Sequence, residues 1–191
     1  MNLRRLVVAT TIAASACAPV FAEEGANKTY IDVGITQISV KFLCARFTPK
    51  ALRLVSGYEL SPHLAAEAML VVGLTEGTSS VTEANVSYKL SVKPETSVGL
   101  FMKSRANFGE SGEHEVYGRV GYFDANSRLT GSFGATRFSG AGSIANGLSY
   151  GLGAKVNLAK DTHLSADYMH YAKGNGFVVD GVTVGLTKHF E

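Results

Sequence analysis

Few residues in this chain have the type and spacing for chemistry. His163 and Ser165, two positions apart, are a His–Ser pair whose types could do chemistry. The pair adjoins the turn signal Ala159-Lys160-Asp161, and a His at a strand end next to a Ser is the plainer reading. His114, His170 and His189 are dispersed, with no His-x-x-x-His spacing and no carboxylate cluster, so no metal is expected. His170, between Tyr168 and Tyr171, reads as an interfacial residue rather than a ligand. The Gly-rich stretch Gly140–Gly147 lacks the Lys-Ser/Thr of a phosphate-binding loop and reads as a loop. Two Cys, Cys17 and Cys44, are too few for a disulfide framework or a four-thiolate zinc site. No catalytic residue, metal ligand or cofactor site is expected, and a net charge of +2 gives no reason to expect nucleic acid.

Residues 1–22 carry the features of a secretory signal peptide. Arg4 and Arg5 are followed by an apolar, small-residue stretch to Ala18 and the small-x-small signal Val20-Phe21-Ala22. The stretch is short for a transmembrane anchor and is followed by Pro19. Ala14 stands where a lipoprotein signal cut before Cys17 would have a larger aliphatic residue. Cleavage after Ala22 would remove Arg4 and Arg5, taking Lys+Arg from 18 to 16 against 16 Asp+Glu, and would leave Cys44 as a single thiol, shielded or else paired between molecules. Residues 23–191 form the remaining domain.

The elements that would position any side chain are strands. In Thr96–Phe108, Val98, Leu100, Met102, Ala106 and Phe108 oppose Gly99, Phe101, Lys103, Arg105 and Asn107. In Glu113–Phe123, Val116, Gly118, Val120 and Tyr122 oppose Glu115, Tyr117, Arg119 and Gly121. The same period recurs in Lys28–Val40, Ala51–Leu60, Ser149–Leu158 and Gly181–Phe190. His63–Gly73 is rich in helix formers, but Leu64, Ala66, Ala68, Leu70 and Val72 form one apolar face against Glu67, and a strand is expected. Short polar or Gly-rich signals separate the runs: Ser61-Pro62-His63, Gly109–Gly112, Ala159-Lys160-Asp161 and Gly174-Asn175-Gly176. Hairpin after hairpin implies an antiparallel up-and-down sheet, and strands of about ten residues suit a tilted crossing of a bilayer.

The polar parities carry Asp32, Arg53, Glu59, Glu67, Lys103, Arg105, Glu115, Arg119, Lys155 and Asp167, five cations and five acids. In a soluble sandwich or lipocalin-like barrel they would be solvated surface. Two features favour the inverse. The apolar face recurs on nearly every strand with no helix to cover it, and the polar face is rich in Gly (34, 57, 73, 99, 121, 151, 153, 185), which a narrow interior needs beside long charged side chains. Val98, Leu100, Val120, Leu152, Val184 and Leu186 would then face lipid, and the ten charged residues would form a matched network in the lumen. With no Trp, the interfacial girdles fall to Tyr58, Phe108, Tyr122, Tyr150, Tyr168, Tyr171 and Phe190.

On these residues the chain resembles the outer-membrane β-barrel family, the OmpA-like small porin group of Gram-negative bacteria. The resemblance rests on the order of several runs: Leu52-Arg53-Leu54-Val55-Ser56-Gly57-Tyr58-Glu59-Leu60 leading to Ala66-Glu67, Val116–Tyr122, Tyr150-Gly151-Leu152-Gly153-Ala154, Ala166-Asp167-Tyr168-Met169 and Val182–Leu186. It implies an all-β, eight-stranded antiparallel transmembrane barrel with short periplasmic turns, longer exterior loops and both termini in the periplasm. It also implies partners, namely outer-membrane lipid and the outer-membrane assembly machinery, whose signal ends on Phe; here Phe190 is followed by Glu191. The strands fall near 28–40, 50–60, 63–74, 94–107, 113–124, 147–158, 162–172 and 178–190, leaving 75–93 and 125–146 as exterior loops with some strand extension. Because Asn85–Val92 and Arg128–Phe138 also alternate, ten strands with turns at Lys93–Glu95 and Asp124–Arg128 is the alternative. His163-Leu164-Ser165 is similar to the His-x-Ser of lipid A deacylases, but Ala166 stands where that family has Asn.

The expected function is a monomeric, non-enzymatic outer-membrane barrel with a filled lumen, acting at the cell surface through exterior loops that could hold a surface ligand. The alternatives are a narrow pore for small solutes or ions, a lipid-modifying barrel enzyme, and a soluble periplasmic ligand-binding barrel.

Overall fold

Alternation of apolar and polar residues becomes strand wherever two turn signals bracket it. The computed structural model describes residues 29–42, 45–83, 86–109, 113–133 and 136–190; residues 1–22, read above as an export signal, and Cys44 lie outside them. Eleven strands form one antiparallel sheet: β1 (Thr29–Phe42), β2 (Ala45–Phe47), β3 (Lys50–Ser61), β4 (Leu64–Gly73), β5 (Gly77–Glu83), β6 (Val86–Pro94), β7 (Ser97–Phe108), β8 (His114–Phe133), β9 (Thr136–Ala159), β10 (Thr162–Gly174) and β11 (Phe177–Phe190). The helix-forming composition of residues 63–73 is overridden, because as β4 the segment pairs with β3 on one side and β7 on the other.

Eight of the strands close into a ring in the order β8-β7-β4-β3-β1-β11-β10-β9, with β9 pairing back onto β8. The first and last strands close the chain's own ends, running in register from Thr29 opposite Phe190 to Phe42 opposite Phe177. Closure leaves no free edge within the ring, the condition for strands to cross hydrocarbon.

The two ends of the barrel differ. At one end the turns are short: Pro62-His63, the 109–113 link, and Lys160-Asp161. At the other end stand longer hairpins. There β8 and β9, 20 and 24 residues long, continue past the ring as a paired arm. The β5–β6 hairpin adds to that arm through β6, from Tyr88 opposite Phe133 to Pro94 opposite Ser127. The hairpin end also holds one tight turn, where Asn175 (φ 49°) and Gly176 (φ 80°) supply the two positive φ angles of a two-residue hairpin.

This geometry decides the strand number. No turn falls at 93–95: β6 and β7 both run antiparallel to β8 with a register that shifts by one residue between Pro94 opposite Ser127 and Val98 opposite Asp124, so β6 leads into β7 along the outer part of β8 instead of adding a strand to the ring. No turn interrupts residues 124–128, since β8 runs through them. The ring therefore has eight strands, and the alternation in 75–93 and 125–146 belongs to the projecting sheet instead of to loops.

Candidate functional site

Strand parity aims the two faces. Outside, Val98, Leu100, Val120, Leu152, Val184 and Leu186 are all exposed, with Leu100 at 69% and Leu152 at 72%. Tyr122, Tyr150 and Tyr168 stand exposed on three consecutive strands, β8, β9 and β10, while Phe108 and Phe190 are exposed at the short-turn end. Tyr58 is half-buried. Tyr171 does not join a girdle. It has the parity of Asp167 and Met169, is 1% exposed, and packs its ring 4.9 Å from that of Phe123 inside the lumen.

Inside, the ten charged side chains meet at the short-turn half. Arg53 is fully buried and forks between two acids, donating from Nη1 to Asp167 Oδ1 (2.6 Å) and from Nη2 to Asp32 Oδ1 (3.1 Å). The second oxygen of Asp32 accepts from Ser165 Oγ (2.7 Å) and Thr187 Oγ1 (2.6 Å). The second oxygen of Asp167 accepts from Tyr117 OH (2.9 Å) and lies 3.5 Å from Arg119 Nη1. Arg119 also faces Glu67, with Nε 3.1 Å from Oε2, and Tyr30 OH donates to Glu67 Oε1 (2.5 Å). Arg119 thus pairs across the lumen with Glu67 and Asp167.

Glu115 belongs to a lysine pair nearer the short turns. Lys103 Nζ lies 2.5 Å and Lys155 Nζ 3.9 Å from Glu115 Oε1. The lysines form ion pairs rather than aligned hydrogen bonds, and aromatic faces add to their support. Lys155 Nζ sits 4.4 Å from the centre of the Tyr30 ring, and Lys103 Nζ 4.6 Å from that of Tyr117. At the mouth, Arg105 donates to Glu59 Oε1 (2.6 Å) and to the Pro62 carbonyl (2.9 Å). Four buried cations and the half-buried Arg105 thus face five buried acids, the balance an interior demands, because an unpaired buried ion is costly.

Glycine makes room for the two central rings. A Cβ on Gly57 would lie 2.1 Å from Tyr30 Cζ, and one on Gly153 would lie 2.5 Å from Tyr117 Cζ. Tyr117 shares the parity of the charged set; Tyr30, two residues before Asp32, has the same signal.

Among the described residues the hairpin half of the lumen holds no such network. It is packed by Ile38, Val40, Met69, Val71, Phe101, Phe123, Tyr171 and Val179, with Phe47 of β2 buried among them. A void of about 20 Å³ between Val40, Val71, Phe123 and Tyr171 has room for about one water.

The remaining candidates are accounted for by structure. Ser165 gives its hydroxyl proton to Asp32, and His163 stacks edge-on to His189 with ring centres 5.0 Å apart, so the two do not form a base–nucleophile pair. His170 Nδ1 lies 2.8 Å from Asp180 Oδ1 at the hairpin end. Among the described residues no group of three or more His, Cys, Asp or Glu is arranged to hold a metal. Residues 140–147 run within β9.

Comparison with known proteins agrees with this architecture. The model of the outer membrane protein beta-barrel domain matches residues 8–190. Ail, the attachment invasion locus protein of Yersinia pestis, has a similar structure at 19% identity, with a TM-score of 0.60 over 86% of this chain and 99% of that one. Neisserial surface protein A is similar at 13% identity, TM-score 0.56, over 85% of this chain and 97% of that one. OprG of Pseudomonas aeruginosa is similar at 13% identity, TM-score 0.53, over 87% and 97%. No curated protein matches the sequence. With eight strands closed around a side-chain interior and a domain match spanning nearly all of its length, the chain belongs to the outer-membrane β-barrel family.

Proposed function

We propose that the protein is a monomeric, non-conducting and non-enzymatic barrel that displays a β-sheet arm at the cell surface. In this reading residues 1–22 are the export address, and the outer-membrane assembly machinery inserts the mature chain with its short turns in the periplasm. Val98, Leu100, Val120, Leu152, Val184 and Leu186 contact lipid. The ten charged residues from Asp32 to Asp167 lock the lumen.

The observation that carries the reading is the double filling of the lumen. An ion could not pass the short-turn half without breaking paired charges, nor the hairpin half without displacing packed aromatic side chains. The surface role is supported by the arm, whose strands β5, β6, β8 and β9 extend beyond the ring. Ail, with the same fold, has been solved with the heparin analogue sucrose octasulfate. At 18% identity that likeness carries the fold alone, so the ligand of this chain's arm is left to experiment.

The test is single-channel recording in planar bilayers. The folded mature protein, verified by its altered gel migration before boiling, is expected to give no conductance steps. Regular steps abolished by boiling would replace this reading with the narrow-pore one. Amino-terminal sequencing of the membrane-inserted protein is expected to begin at Glu23; an intact Met1 start would remove the export assignment.

A further inference from the structure

Outside the lumen, on the wall at the exterior ends of β1 and β11, lies a groove of about 690 Å³. Its floor is apolar. Ile35, Val182 and Val184 line it, and they are half-exposed members of the same outward rows that carry Ile31, Val33 and Leu186. Its upper rim is cationic, formed by Lys41, Arg46 and Lys50.

The one acid lining the groove is already engaged. Asp180 pairs with Lys41 Nζ at 3.4 Å through one oxygen and with His170 Nδ1 at 2.8 Å through the other. Arg46 donates from Nε to Ser39 Oγ (3.0 Å), which orients the guanidinium and leaves its two terminal nitrogens without a protein partner among the described residues. The Lys50 ammonium likewise has no partner among them, although its backbone is held by Thr75 Oγ1 and Leu74 N. Two cations are therefore presented, unneutralised, directly above a greasy wall.

That pairing of chemistries selects the occupant. A soluble anion would satisfy the cations and leave the floor to something else. An anionic amphiphile satisfies both, and at the exterior end of an outer-membrane barrel the neighbouring lipid is the phosphorylated, multiply acylated glycolipid of the outer leaflet. Arginine's planar fork suits a phosphate bidentately, and a lysine beside it adds a point charge. Tyr168, at the groove and exposed, stands where an interfacial aromatic would meet the sugar–acyl boundary. We propose that this groove is a specific site for that glycolipid, with a phosphate on Arg46 and Lys50 and an acyl chain along Ile35, Val182 and Val184.

The experiment is native mass spectrometry of the folded mature barrel released from detergent micelles, titrated with diphosphoryl lipid A, its dephosphorylated form, or phosphatidylglycerol. Diphosphoryl lipid A is expected to bind tightest. The double variant R46Q/K50Q should bind it about thirtyfold more weakly, at roughly one surface cation's worth per residue. A control that removes the same charge elsewhere on the exterior, K89Q/K173Q, should bind as the parent does. All four side chains are exposed, and unchanged heat-modifiability checks that each variant is folded. Equal binding by R46Q/K50Q and the parent overturns the site. Equal weakening by K89Q/K173Q overturns it in favour of diffuse charge attraction. Phosphatidylglycerol or dephosphorylated lipid A binding as tightly as the diphosphoryl form overturns the choice of ligand.

Discussion

At the short-turn half the lumen is filled by Arg53, Arg119, Lys103 and Lys155 against Asp32, Glu67, Glu115 and Asp167; at the hairpin half, by Ile38, Val40, Phe101, Phe123 and Tyr171. The wall outside both halves is alike, exposed and apolar at either level, as lipid would demand. The inner face is free of that demand and can be filled in either way. The two fillings fail differently. An ion pair is worth little against well-packed hydrophobic residues, yet losing one partner strands the other in low dielectric. An apolar plug loses only what is removed, plus the cavity left behind. The charged half should therefore be brittle to single changes and tolerant of paired ones, and the apolar half should respond to each deletion on its own.

The sharpest break in that contrast is Arg119→Leu. It leaves Glu67 without its cation and removes one of the two serving Asp167, and should cost about 3–5 kcal/mol in urea unfolding from lipid vesicles. Adding Glu67→Leu should restore part of the loss. If the double variant is simply additive, the interior charges are not acting as a network. Phe123→Ala deletes a buried ring that packs on Tyr171, at an expected cost of about 3–5 kcal/mol with no partner substitution able to recover it. A loss below about 1 kcal/mol would mean that the hairpin half collapses around the gap instead of depending on packing.

The contrast also explains what could be read in the residues and what could not. Period two is decisive where the faces differ chemically, as in Lys103 and Arg105 against Leu100 and Met102, and it fixes both the strands and the inward parity of the charges. Where an inward residue is itself apolar, the alternation fades. Ile38, Val40, Met69 and Phe101 continue the inward rows without any polar mark, so the apolar half of the lumen has no sequence signature. Tyr171 illustrates the same gap: nearness to Tyr168 suggests a girdle, while its odd parity puts it inside. Partners across the lumen depend on strand tilt and stagger, so the pairing of Arg119 with Asp167, 48 residues away on β10, is not written in local spacing. The outer parts of β8 and β9 alternate because they are strand, but they are held there by pairing with each other and, for Ser127–Phe133, with β6, and a ring of ten strands would show the same alternation.

Leu100→Arg carries the comparison through the wall. Leu100 points outward, 69% exposed, and its neighbour Phe101 points into the apolar half, so one residue's step in sequence crosses from the outer wall to the plug. A cation at mid-bilayer should cost about 2–4 kcal/mol. The loss should persist when the same unfolding is followed at high salt, because the penalty is desolvation and not screened repulsion. An unchanged urea midpoint would take Leu100 off the lipid face.

The smallest effect separates lumen glycines from arm glycines. At Gly57 a methyl would lie 2.1 Å from Tyr30 Cζ and 2.5 Å from its neighbouring ring carbons. The ring must then move, and with it the hydroxyl that donates to Glu67 at 2.5 Å. Overpacking of this kind costs about 1–3 kcal/mol. At Gly140, on the outer part of β9, a methyl meets nothing within 4 Å, and Gly140→Ala should stay within about 0.5 kcal/mol of the parent. Both substitutions add one methyl to a strand glycine, so the difference between them isolates the seat of the Tyr30 ring from any general effect of removing glycine. Equal urea midpoints for the two variants would show that Tyr30 does not depend on that seat, and the aromatic support drawn for Lys103 and Lys155 would lose its anchor.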